Sequence, residues 1–205
     1  MSRFLFLWTF LTGLFLTVQG FSQQQFSYKD TLFVSGKDAG HLSQYAFYYN
    51  DSTGIKRTSD IEKLLQAHKF HRWELGETLN LGLNPYPLWL YMRVKNTSPL
   101  SEKYWWSVYS HADTIYVYEK NESGWQIKDT MAYAEPLANR NVKVRCMASE
   151  FVFEPGDYKE ILLQVKNKRH AQNAITDFTT PSSNLFWEKQ FYWNIGFFVG
   201  CFLIF

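Results

Sequence analysis

The chain has 205 residues, with 21 Lys and Arg against 19 Asp and Glu, for a formal charge of +2. That length supports one sizeable domain with a real core. The near balance of charge argues against a nucleic-acid surface built on phosphate neutralisation, and the short basic stretch KNKRH, residues 166–170, reads as a solvated loop.

The chain opens on MSRFLFLWTFLTGLFLTVQG, where Arg3 is the only charge before an apolar stretch from Phe4 to Leu16. This is the layout of a secretory signal peptide over residues 1–20, with an uncleaved anchor as the alternative. Either way the polar middle of the chain is expected outside the cytoplasm. Cys146 and Cys201 are the only cysteines, and the second lies in an apolar tail, so no disulfide is expected inside the exported domain. Its core has to hold by packing.

The first regular element expected is a helix, SDIEKLLQAHK over residues 59–69. Ser59 stands three residues before Glu62 as a capping box, and Ile61, Leu64 and Leu65 form one apolar stripe. Strands follow. LWLYMRVKN (88–96) sets Leu88, Leu90, Met92 and Val94 on one face and Trp89, Tyr91, Arg93 and Lys95 on the other. KYWWSVYS (103–110) divides Tyr104, Trp106 and Val108 from Trp105, Ser107 and Tyr109, which assigns Trp106 to the core and Trp105 to the outer side. DTIYVYEKNESGWQIKD (113–129) reads as a hairpin turning at Asn121 to Gly124, and FVFEPGDYKEILLQVKN (151–167) as a second one turning at Pro155 and Gly156. The tripeptide VKN closes two strands, at 94–96 and 165–167, as coincidence or as equivalent strand ends in two sheets. Successive hairpins with period-two apolar positions argue for an all-β antiparallel sandwich.

Catalytic chemistry is thinly represented. His68 and His71 lack the carboxylates or cysteines of a metal site. No strained nucleophile turn or glycine-rich phosphate loop occurs, so neither an enzyme, a metal site nor a cofactor is expected. The sequons at Asn50, Asn96 and Asn121 mainly support turn assignments. The apolar run from Phe191 to Phe205 is shorter than the roughly 20 residues a spanning helix needs. Residues 189–205 are therefore expected to begin a membrane helix that is cut short, with Trp187 and Trp193 at the outer interface.

The order of the helix SDIEKLLQAHKF, then LNLGLNPYPLWLYMRVKNTS, HADTIYVYEKNESGW and FVFEPGDYKEILLQVKN, resembles the type 2 extracellular domain of bacterial seven-transmembrane receptors with diverse intracellular signalling modules. Gly82, Trp89, Asn96, Asp113 and Tyr118 stand at the family's marker positions. Many members carry Arg two places after the Trp, where this chain has Tyr91, with Arg93 the nearest arginine. The resemblance implies a jelly-roll-like sandwich akin to carbohydrate-binding modules over residues 21–188. It further implies an inner-membrane receptor with this domain in the periplasm or outside the cell, and a cytoplasmic signalling module elsewhere in the full-length chain. The ligand expected is a carbohydrate or another small molecule. Sugar rings stack on aromatic faces, so Trp89, Tyr91, Arg93, Trp105, Tyr109, Tyr116 and Tyr118 form the candidate ligand-binding set. The same aromatics could instead be core or lie beneath the helix. A membrane-anchored adaptor that recognises a partner protein is the alternative function.

Overall fold

The computed structural model describes residues 30–39, 42, 45–73, 78–110, 112–167 and 173–204. The expected leader over residues 1–20 lies outside the described residues, as does the end of the basic stretch, 168–170. Among the described residues the strands are β1 (Leu32–Val34), β2 (Phe47–Asn50), β3 (His71–Arg72), β4 (Leu79–Asn80), β5 (Leu88–Asn96), β6 (Glu102–Tyr109), β7 (Thr114–Asn121), β8 (Gly124–Ala132), β9 (Met147–Phe153), β10 (Tyr158–Lys166) and β11 (Asn173–Thr179). Helix α1 (Thr58–Gln66) lies between β2 and β3, and α2 (Pro181–Ile204) follows β11.

The larger sheet runs β3-β2-β5-β10-β7-β8, with β1 added against the end of β5; the smaller runs β4-β11-β6-β9. The β1–β5 pairing is parallel and the others are antiparallel. Period-two patterning is realised in the core between the sheets. Leu88, Leu90, Met92 and Val94 of β5 join Ile115, Val117, Ile161, Leu163 and Val165 of the same sheet. They meet Tyr104, Trp106, Val108, Phe151, Phe153 and Phe178 of the other. Tyr104 stacks on Phe178 at 5.0 Å between centroids.

Three expectations need correction. The segment 151–167 does turn at Pro155 and Gly156, with Gly156 at φ +82° and Asp157 N donating to Glu154 O at 3.0 Å. It is not a hairpin, however, because β9 pairs with β6 while β10 lies between β5 and β7. With both edges of β10 occupied, the turn can only carry the chain from one sheet to the other. The repeated VKN is likewise not an equivalence between sheets: β5 and β10 are antiparallel neighbours in one sheet, which puts Asn96 and Asn167 at opposite ends of it. Finally, α1 is capped two residues earlier than expected, at Arg57 rather than Ser59. Arg57 N donates to Asp60 Oδ2 at 3.1 Å, so Asp60 performs the task expected of Glu62. Glu62 is left to reach across to the sheet.

Asn96 shows why β5 ends where it does. It is fully buried, and its Nδ2 donates to Leu100 O (2.9 Å), Phe153 O (3.2 Å) and Glu154 O (3.1 Å), while Oδ1 accepts from Ser98 N (2.9 Å). One side chain thus ties the β5–β6 crossover to the β9–β10 crossover. Such satisfaction is what permits a polar group in the interior.

Both sheets are also covered on their outer faces. On the larger sheet, Ile61 of α1 packs with Trp89, Tyr91 and Leu162. On the smaller, the segment after β8 folds back so that its Val142 and Val144, with Ala148 of β9, enclose Trp105. Arg140 stiffens that segment by donating to the carbonyls of Glu135 (3.1 Å), Val144 (3.2 Å) and Tyr133 (3.2 Å).

Candidate functional site

The outward residues of β5 and its neighbours make an aromatic layer. Trp89 lies 6.0 Å from Tyr118, and Tyr91 lies 6.2 Å from each of Phe47, Phe70 and Trp125, as ring centroids. Much of the layer is the platform on which α1 sits, and Trp89 is only 1 % exposed. A chain of polar contacts fixes helix to sheet. Lys120 Nζ of β7 lies 2.8 Å from Glu62 Oε1 and 3.5 Å from Glu160 Oε1, and Trp125 Nε1 donates to Glu62 Oε2. Burial works against the Glu62 charge, but the bonds from Lys120 and Trp125 prevail and hold its carboxyl below the ordinary value.

Where α1 ends, the layer opens into a cavity of about 340 Å³ lined by Asp30, Phe47, Leu65, His68, Phe70, Arg72, Tyr91 and Arg93. The helix terminus shapes it. Lys69 N bonds Leu64 O and His68 N bonds Leu65 O, a Schellman ending that places His68 in the left-handed region at φ +51°. Glycine usually fills that position. Beyond it the chain drops to Phe70 and Arg72 on the cavity wall. Tyr91 forms the floor at 3 % exposure; its hydroxyl donates to Glu160 Oε2 at 2.5 Å and accepts from Arg93 Nε at 2.8 Å. Burial, with the Glu160 carboxylate beside it, pushes the Tyr91 phenol well above its usual value, so it stays a donor. Arg93 loses hydration in the wall, yet its bond to Tyr91 raises its pKa and keeps it cationic. Arg72 pairs with Asp30 at 2.5 Å and lies over the Phe47 ring at 4.8 Å.

The seven residues of the sequence-based set fall in different places. Tyr91 and Arg93 meet in this cavity. Trp89 and Tyr118 belong to the platform beneath α1. Tyr116 lines another cavity, of about 520 Å³, beside Lys166, whose Nζ is 4.7 Å from the Tyr116 centroid. The other sheet holds the remaining two. Trp105 faces outward as its parity requires, but it is 9 % exposed beneath the covering segment and donates Nε1 to Glu150 Oε2 at 3.0 Å. Tyr109 lines a cavity of about 430 Å³ with Cys146, Arg145, Asn184, Trp187 and Glu188, where the sheet meets α2. Sequence reasoning missed Phe47, Phe70 and Arg72. The segment KFHR after the helix was the available signal, since it places an aromatic and a cation two residues apart on an extended stretch.

A family model described as 7TMR-DISM extracellular 2 matches residues 43–178. The chain belongs to this family. The match runs from before β2 into β11, and so contains the whole lining of the α1 cavity except Asp30. No curated protein matches the chain. A 7TMR-DISM extracellular 2 domain is an extracytoplasmic sensor of a membrane receptor, and α2 is the element that leaves it. Asn184 Nδ2 donates to Ser107 Oγ at 3.0 Å, Glu188 Oε1 accepts from Arg145 N at 2.6 Å, and the Arg145 guanidinium lies 3.3 Å from the Phe191 centroid. Spaced by four and three residues, these groups share one face of α2. Among the described residues, no helix is long and apolar enough to cross a membrane, and no group of His, Cys, Asp and Glu could hold a metal ion.

Proposed function

We propose that this domain senses a carbohydrate or similar ring-bearing small ligand outside the cytoplasm, in the cavity at the end of α1, and passes the change to a cytoplasmic output module of the receptor. The observation that carries this reading is the convergence of Phe47, Phe70 and Tyr91 with Arg72 and Arg93 around one opening. Apolar ring walls with a few fixed polar groups are the chemistry of sugar recognition. The strand order, with consecutive strands changing sheets, supports a jelly-roll relation to carbohydrate-binding modules. The sensory unit spans residues 21–188 after a leader at 1–20, and residues 189–205 begin the first membrane helix. The helix runs unbroken through that boundary.

A partner-binding adaptor is the second reading. It is favoured by Ile55, Leu83 and Tyr86, apolar side chains exposed on loops brought together where Gly54 approaches Pro87. A panel of neutral and acidic glycans, screened by thermal shift against the full chain in detergent, separates the two. A sensor is stabilised by at least one glycan, and the shift is lost in Phe70→Ala. An adaptor responds to none.

A further inference from the structure

We infer that the ligand of the α1 cavity is an acidic sugar, a ring carrying a carboxylate such as a uronic acid, and that Arg93 receives the carboxylate. This rests on the sensor reading above and narrows its ligand class. The geometry of Arg93 is the starting point. Its Nε is bonded to Tyr91, and the guanidinium lies 5.4 Å from the Tyr91 centroid, so the side chain is fixed. The described residues offer no hydrogen-bond partner to the two terminal nitrogens. A guanidinium held at Nε presents those nitrogens as a parallel pair of donors, the arrangement that matches the two oxygens of a carboxylate.

The charges around it agree. The lining carries Arg72 and Arg93 against Asp30, and Asp30 is already paired with Arg72. The lining itself therefore carries one cation more than carboxylates, with Glu160 acting on Arg93 from behind Tyr91. Glu160 lies behind Tyr91, engaged by the Tyr91 hydroxyl and by Lys120, and it is not part of the lining. The walls supply the other half of the recognition. Phe47 and Phe70 are half-buried, each leaving part of its ring at the opening, and both lean on Tyr91. A pyranose against these rings brings a C5 carboxylate toward the guanidinium, because Tyr91 joins the aromatic wall to Arg93. His68 also lines this cavity, held there by the ending of α1.

The test uses the full chain in detergent and two probes with the same rings and hydroxyls, tetragalacturonate with free carboxylates and its methyl ester without them, by isothermal titration. The inference expects the acid to bind and the ester to bind about 10- to 100-fold more weakly, the range expected for losing charge-assisted hydrogen bonds. Arg93→Gln should bring acid and ester within about twofold of each other, while Arg93→Lys keeps part of the preference; the melting temperature of each variant establishes that it is folded. Equal binding of acid and ester overturns the acidic-ligand inference and leaves the sugar site standing. A preference that survives in folded Arg93→Gln overturns the role of Arg93. If neither probe binds, the acidic inference fails, and the glycan panel then decides the sensor reading separately.

Discussion

Asn184 on α2 and Ser107 on β6 are buried partners, Nδ2 to Oγ at 3.0 Å, in the seam between the sheet and the outgoing helix. With Glu188 on Arg145 one turn further along, they make α2 follow the smaller sheet rather than swing freely. Asn184→Ala should cost about 1–2 kcal/mol, since it strips a buried partner from Ser107. Adding Glu188→Ala should speed hydrogen exchange in the first half of α2. If exchange there stays unchanged in the double variant, the seam does not hold the helix.

Asn96 joins two crossovers through four hydrogen bonds in the interior. Asn96→Ala abandons buried carbonyls and an amide, and about 3 kcal/mol of stability should be lost, measured by urea unfolding. Asn96→Asp should cost a similar amount, because a carboxylate cannot donate to carbonyls. A loss under 1 kcal/mol for both would show that the crossovers are held elsewhere.

The neighbouring tryptophans of β6 separate two kinds of burial. Trp106, 1 % exposed in the core between the sheets, should cost about 3–5 kcal/mol when truncated to Ala. Trp105→Ala should cost less and mainly loosen the segment carrying Val142 and Val144, visible as faster proteolysis there. A larger loss for Trp105→Ala would reverse the order of the two faces.

How much was legible in the sequence follows from cases like this one. Alternation placed Trp106, Leu90 and Met92 toward the core, because a strand has only two sides and the pattern records which is more apolar. It could not say that the opposite sides are also covered. Trp89 and Tyr91 read as outward, and they are, but Ile61 of α1 lies on them. Whether a turn joins neighbours in one sheet or crosses to the other is decided by distant strands, so the β9–β10 turn looked like a hairpin. The cavity depends on such distant meetings too, with Phe47, Phe70, Arg72 and Arg93 coming from separate stretches. Alternation within β5 pointed to Tyr91 and Arg93, and the segment KFHR was the available signal for Phe70 and Arg72.

Acid should weaken the fold in a defined window. Although burial raises each of them, hydrogen bonds win at Asp51 (from Thr53 and Lys56), Glu62 (from Lys120 and Trp125) and Glu150 (from Trp105 and Lys103), and all three lie below their ordinary values of 3.8, 4.5 and 4.5. A carboxyl more acidic when folded contributes stability above its unfolded value, and that contribution disappears as pH falls through the folded value. Melting temperatures should be flat from pH 7 to 5 and fall below about 4.5. Glu62→Gln should be less stable at pH 7 and show a smaller fall. An unchanged slope would mean that Glu62 is not held charged by α1 docking.

His68 occupies a left-handed position at φ +51°. His68→Gly should relieve about 1 kcal/mol of strain and raise the melting temperature. If the cavity needs the imidazole, the same variant should bind glycan more weakly while being more stable. Lower stability would show that the side chain contributes more than its backbone costs.

The claim that the cavity at the end of α1 is the sensing site is tested most directly by hydrogen exchange of the full chain with and without the glycan that gives the largest shift in the panel. Protection should appear in the α1–β3 stretch around residues 65–72 and in β5 around Arg93, and should vanish in Arg93→Ala but persist in Tyr109→Ala and Tyr116→Ala, which line two other cavities. Protection centred on Tyr109 and the start of α2, or on Tyr116 and Lys166, with Arg93→Ala binding normally, would contradict it.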